Sequence, residues 1–146
     1  MNRKHWSYKL AALNPCHTAI AWAREKPSEA TAWKTCRRGD WMLWLVGKLD
    51  TSAPYSDERR TIVATACACA NLSREYMPQA SRDALGVISR WAAGETTIDR
   101  ARLDAVVSAA EAAYSACSAA RSAADAAYSQ CADIVRQHYP RPPRLP

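Results

Sequence analysis

Residues 61–70 read TIVATACACA, and whether this stretch is a strand or a helix decides the fold class. Thr61, Ile62, Val63 and Thr65 give it a few strand-like positions. It runs on, however, into a longer pattern in which Ile62, Val63, Ala66, Cys67, Ala70 and Tyr76 recur at helical spacing. Alanine, a strong helix former, fills much of it. The pattern predicts a helix that begins near Asp57 and Glu58, acidic residues suited to a helix N-terminus, and that Pro78 breaks. No other segment alternates β-branched residues convincingly, so the chain is expected to be all-α.

Working outward, Asn14 followed by Pro15 reads as an N-cap and first helical position, with the helix running to about Lys26 and Pro27 ending it. Ser28 caps a second helix through Ala32, Trp33 and Cys36. Gly39 is expected to stop that helix, and Asp40 to cap a third beginning at Trp41. Downstream, Ala84, Leu85, Ile88 and Trp91 form the stripe of a helix over residues 79–93, closed by Gly94. From Thr97 the chain has no proline or glycine before Pro140, which predicts one long helix or two in register. The expected architecture is a compact bundle of about five to seven helices, short at the N-terminus, with a long Ala-rich helix or helical pair at the C-terminus. Residues 1–139 read as one helical domain and 140–146 as a flexible Pro/Arg-rich tail.

The totals agree with a single folded domain. At 146 residues, 49% apolar and 23% charged, the chain is long enough to bury a core without a disulfide or metal and is not a candidate for disorder. All six tryptophans (6, 22, 33, 41, 44 and 91) lie in the first two thirds, so the large core anchors come from there. The opening residues lack the apolar run of a secretion signal, and no stretch approaches the length of a membrane span, so a cytoplasmic protein with no membrane partner is expected. The net charge of +6 is concentrated at the front, where residues 1–60 hold eleven basic and six acidic side chains. That favours encounter with an acidic partner without saying which. The six cysteines (16, 36, 67, 69, 117 and 131) read as small buried hydrophobes, with a structural bridge as the alternative.

Residues 41–49, WMLWLVGKL, form a helix that is apolar around its circumference and therefore expected in the core, or else as a partly exposed binding element. Arg37 and Arg38 stand beside the tryptophans and are candidate partner-binding residues together with Trp44. Asp40 is read as the cap, with pairing to Arg37 or Arg38 as the other use for its carboxylate. Near the C-terminus EAAYSAC (111–117) is matched by DAAYSQC (125–131), an offset of fourteen residues or two heptads. This sets Tyr114, Cys117, Arg121, Tyr128, Cys131, Val135 and His138 on one seam. It is either a packing helix or an alanine platform offering Tyr114, Arg121 and Tyr128 to a partner, including a second copy of the chain.

Catalytic motifs are not found. The cysteines lack the paired two-to-four spacing of zinc ligands, and Cys67 and Cys69, separated by one alanine, would point about 200° apart on a helix. No base is implied beside Cys36, and His5, His17 and His138 fall in no catalytic pattern. The expectation is no enzyme, no catalytic residue, no metal and no cofactor. Nucleic-acid association through Arg3, Lys4, Lys9, Lys34, Arg37, Arg38, Arg59 and Arg60 stays as an alternative, weakened because the third helix is too apolar to read base edges.

Taken together, the segments at 14–49 (NPCHTAIAWAREKPSEATAWKTCRRGDWMLWLVGKL), 61–78 (TIVATACACANLSREYMP), 87–95 (VISRWAAGE), 123–128 (AADAAY) and 130–143 (QCADIVRQHYPRPP) carry a resemblance. The chain resembles a family of small Ala-rich helical proteins common in tailed phages and their bacterial hosts. The front domain of that family is similar to immunity proteins encoded beside polymorphic bacterial toxins (an immunity-protein-five-like domain). The likeness spans nearly the whole chain and is sharpest at WxxCxRGDWMLWL and QCADIVRxHYP. By the family pattern Trp33, Cys36, Arg38, Gly39, Asp40, Trp41 and Trp44 belong to the motif, of which Trp33, Cys36, Gly39, Asp40 and Trp41 are expected to be structural. Many relatives have a far longer Ala-rich stretch, which suits a spacer or packing arm. The resemblance implies tight protein binding without catalysis: an inhibitor that neutralises a bacterial toxin, or a phage anti-defence protein that neutralises a defence effector such as a CRISPR component. A basic nucleic-acid-associated protein, or a structural phage or host factor, is the alternative.

Overall fold

The fold is that of a computed structural model, which describes residues 4–53, 55–77, 79–95 and 121–146. Among these residues there are seven α-helices and no strand: α1 (Ser7–Ala11), α2 (His17–Arg24), α3 (Glu29–Thr35), α4 (Gly39–Leu49), α5 (Asp57–Asn71), α6 (Gln79–Ala92) and α7 (Arg121–His138). A single 3-10 turn, Arg74–Tyr76, links α5 to α6. The expectation of a compact all-α bundle holds.

TIVATACACA lies inside α5. Ser56 caps it, its hydroxyl accepting the Arg59 N–H at 3.2 Å, and Asp57 and Glu58 occupy the first turn, where the helix dipole favours them. The β-branched positions are satisfied within the helix: the Thr65 hydroxyl, fully buried, donates to the Thr61 carbonyl at 2.7 Å. Helical periodicity then sends Cys67 and Cys69 to opposite sides. Cys67 joins Met77, Leu85 and Ile88 between α5 and α6, while Cys69 joins the central cluster of Trp33, Cys36, Met42, Val46, Cys131, Ala132 and Val135. α5 is thus packed by α6 on one side and by α4 and α7 on the other. A third cluster, Leu10, Ala23 and Leu145, sits where α1, α2 and the C-terminal segment meet.

Several boundaries differ from the sequence reading. α2 begins at His17 with Cys16 at the N-cap, because Asn14 adopts a left-handed conformation at φ 56° and its N–H closes onto the Ala11 carbonyl. Asparagine tolerates that conformation better than most residues, so it ends a turn here and does not open a helix. Gly39 does not stop α3. That helix ends at Thr35, and Gly39 is the first residue of α4. Its role is steric: a Cβ there would lie 2.5 Å from both the carbonyl carbon and the Sγ of Cys131 and would also strike the Ala132 nitrogen. Only glycine lets α4 come this close to α7. Gly94, by contrast, ends the α6 region as expected, with φ 79°.

Two further corrections concern the cysteines and the tail. Cys69 and Cys131 are joined in a disulfide between α5 and α7, so they are not thiols, whereas Cys36 and Cys67 are buried free thiols and Cys16 is exposed. Four cysteines in alanine-rich helices look alike in sequence, and only the meeting of two helix faces selects the pair. The tail, expected to be flexible, is anchored: Leu145 is 5% exposed and packs on Leu10 and Ala23. Prolines at 140, 142, 143 and 146 restrict the backbone, which lowers the entropy lost when one leucine docks.

Candidate protein-binding groove

The stretch CRRGD (36–40), which joins α3 to α4 and forms the first residues of α4, packs against the C-terminal half of α7. Arg136 on α7 donates to the carbonyls of Trp33 (3.1 Å), in the last turn of α3, and Cys36 (2.8 Å), its C-cap, and its second terminal nitrogen meets Asp133 at 2.8 Å. The Trp33 indole N–H donates to the Tyr139 carbonyl at 2.8 Å. The two most specific stretches of the sequence, WKTCRRGDWMLWL and QCADIVRQHY, are therefore two sides of one contact. Burial pushes the Cys36 thiol above its ordinary pKa, which keeps it protonated and unreactive at neutral pH.

Asp40 is not the cap of α4. Arg38 holds the N-cap position without a side-chain cap bond, and Asp40 lies in the first turn, where its carboxylate takes two hydrogen bonds from Arg38 at 2.8 and 2.6 Å. Bidentate pairing with a planar guanidinium outcompetes a local bond to backbone N–H groups. The Arg38 guanidinium is in turn stacked between two rings, 4.5 Å from Trp41 and 4.4 Å from Tyr128. Trp41 packs tilted against Trp22 at 6.0 Å, and the Lys26 ammonium covers Trp22 at 4.8 Å. Cations and aromatic rings thus follow one another in contact, Lys26 on Trp22, Trp22 on Trp41, and Arg38 on both Trp41 and Tyr128, tying α2, α4 and α7 together.

Beside these contacts runs a mostly apolar groove of about 810 Å³, whose lining includes Trp22, Trp41, Leu43, Trp44, Ile62 and Val63. α4 floors it unevenly. Met42 and Val46 are buried, whereas Trp44 is 38% exposed, so the helix that reads as apolar all round buries only part of its circumference. The volume falls within the range of sites that take a small apolar ligand or the side chains of a docked segment. Glu29 also lines the groove, and partial burial raises its carboxyl pKa against the opposing pull of Lys9.

Of the residues singled out in the sequence, the structure brings together Trp33, Cys36, Arg38, Gly39, Asp40, Trp41 and Tyr128. Arg37 is exposed and Trp44 stands at the groove. Arg38 is engaged by Asp40, Trp41 and Tyr128, so it is not the counterpart of Arg37 that the sequence pairing suggests. Tyr114 lies outside the described residues, as do the first copy of the heptad repeat, the side chain of Arg121 and the question of one helix or two. On α7 the seam holds for Tyr128, Cys131 and Val135 but not for His138, which is exposed. Sequence reasoning missed Arg136, Ala132 and Leu145. Arg136 follows the apolar pair Ile134–Val135, and only its aim at the end of α3 reveals its role.

Cys16 and His17 are both exposed and Cys36 is buried, so they do not converge. Among the described residues no group of three or more His, Cys, Asp or Glu is placed to hold a metal ion, and no helix is long and apolar enough to cross a membrane. Set against models of protein families, curated proteins and solved structures, the chain matches none of them.

Proposed function

We propose that the protein is a non-catalytic inhibitor of the immunity or phage anti-defence kind, which captures a bacterial toxin or defence effector stoichiometrically through the groove along α4. The observation that carries this reading is Trp44: a tryptophan 38% exposed on an apolar groove that Trp22, Trp41 and Arg38 also line. Tryptophan set in a pre-ordered apolar surface anchors protein interfaces more often than any other residue, because it adds large buried area at small entropic cost. Arg37, exposed near this surface, supports the reading by adding charge for encounter with an acidic partner. The resemblance of WKTCRRGDWMLWL to immunity proteins points the same way.

The test is affinity capture from a lysate of the encoding organism, with nuclease present and at moderate and high salt, followed by reassembly of the complex from purified components. A one-to-one protein complex that Trp44→Ala weakens by about 30-fold or more, roughly 2 kcal/mol, supports the proposal. Capture of only nuclease-sensitive, salt-sensitive material overturns it in favour of nucleic-acid association. Arg37→Glu is the companion variant for the charge; Arg38→Glu is unsuitable, since it would also break the Asp40 pair.

A further inference from the structure

We infer that the apolar groove ends in a recognition site for an extended Pro-x-x-Leu segment, that residues 140–146 are its resident ligand in cis, and that a partner carrying the same pattern enters by displacing them. The site stands on its own geometry; its use by a captured partner rests on the reading proposed above.

Pro142 and Leu145 line the same groove as Trp44. Leu145 is 5% exposed and closes a cluster with Leu10 and Ala23, against which Trp6 and Trp22 pack. The Trp6 indole N–H is fixed on the Lys26 carbonyl at 2.9 Å, so this wall of the site is held by a contact that does not involve the segment. Burial along the segment repeats every third residue. Pro142 is half-buried and Leu145 buried, whereas Arg141 and Arg144 are both exposed, with half-buried Pro143 on the flank. Three residues per turn is the repeat of a polyproline II helix, toward which prolines at 140, 142, 143 and 146 bias the backbone.

This composition suits the wall on which the segment lies. Four of its seven residues are proline and lack an N–H, so few backbone donors lose water against apolar rings. The last hydrogen bonds are made at Tyr139, whose N–H reaches the Val135 carbonyl at 2.7 Å and whose carbonyl accepts the Trp33 indole N–H at 2.8 Å. Among the described residues, none is formed by 140–146. Two apolar anchors without a hydrogen bond make a contact that a second chain can copy and replace, while the helices behind it keep their own bonds. What the second chain must overcome is the high local concentration of the tethered segment.

The experiment titrates the full chain and its Leu145→Ala variant with a synthetic peptide of residues 139–146, YPRPPRLP, followed by the tryptophan indole and alanine amide signals in proton–nitrogen correlation spectra. The variant should bind the peptide saturably, with the Trp6 and Trp22 indole signals and the Ala23 amide moving toward their positions in the parent. The parent should bind it at least about tenfold more weakly, because its own segment competes. A peptide with alanine in place of its leucine should bind neither protein. If Leu145→Ala does not fold, Pro142→Gly/Pro143→Gly takes its place, keeping the leucine but loosening the preset backbone, and should bind the peptide more tightly than the parent does. A folded variant that ignores the peptide at millimolar concentration, equal affinity for variant and parent, or movement only of signals other than Trp6, Trp22 and Ala23 overturns the inference. Peptide binding with no captured partner overturns the earlier reading and leaves the site standing; capture without peptide binding does the reverse.

Discussion

Two glycines of α4 meet opposite surroundings. Gly39 faces the backbone of Cys131 and Ala132, whereas Gly47 has nothing within 4 Å of where its Cβ would stand. Backbone atoms cannot swing aside as a side chain can, so Gly39→Ala should cost about 1–3 kcal/mol through overpacking. Gly47→Ala should instead gain about 0.5–1 kcal/mol, since it only reduces the freedom of the unfolded chain and improves helix propensity. Urea melts of the two variants check this, and equal shifts would remove the steric account of Gly39. In sequence the two glycines are alike, because helix propensity sees neither neighbour. Asp40 teaches the same lesson: a cap is the local inference, and a bidentate arginine two residues away takes the carboxylate instead.

Helix existence was legible because it rests on local periodicity and punctuation. Ser28 caps as its position suggests, the Thr31 N–H reaching its hydroxyl at 3.1 Å, and the helix expected from Asp57 and Glu58 does begin there, with Ser56 capping it through the Arg59 N–H at 3.2 Å. The one-residue spacing of Cys67 and Cys69 also carried a true geometric message, that they face opposite ways. Which face met which partner was not legible, since it depends on docking between helices far apart in sequence. The C-terminal segment is the clearest case. Its prolines and arginines read as a loose end, yet Leu145 closes the cluster of Leu10 and Ala23. Leu145→Ala should therefore cost about 2–3 kcal/mol, the value of an aliphatic side chain lost from a packed site. A melting temperature unchanged by this substitution would mean that the segment does not dock.

Among the described residues, part of the positive charge is matched by acidic neighbours. Arg38, Arg59 and Arg136 are paired with Asp40, Asp50 and Asp133. Asp50, at the end of α4, meets Arg59 of α5 at 2.9 Å and is only 8% exposed. Burial alone would raise its pKa, but Ser52, through its side chain and N–H, and the Arg59 charge outweigh it and hold the carboxyl below the ordinary aspartate range. The unfolded chain binds the proton more readily, so this contribution is present above about pH 4 and disappears as pH falls through the lower folded value. Melts taken between about pH 5 and pH 2 should show the loss in the parent and a flatter profile in Asp50→Asn. Identical profiles would remove Asp50 from the acid response.

What the amino-acid pattern determined alone is the all-α class and most helix positions, because a helix satisfies its own backbone and announces itself through spacing, caps and breakers. The disulfide partner, the burial of Leu145, the use of Arg136 and Arg38, and the exposure of Trp44 were settled only when the helices met. Each depends on contacts between segments tens of residues apart, where geometry, and not composition, chooses among chemically similar side chains.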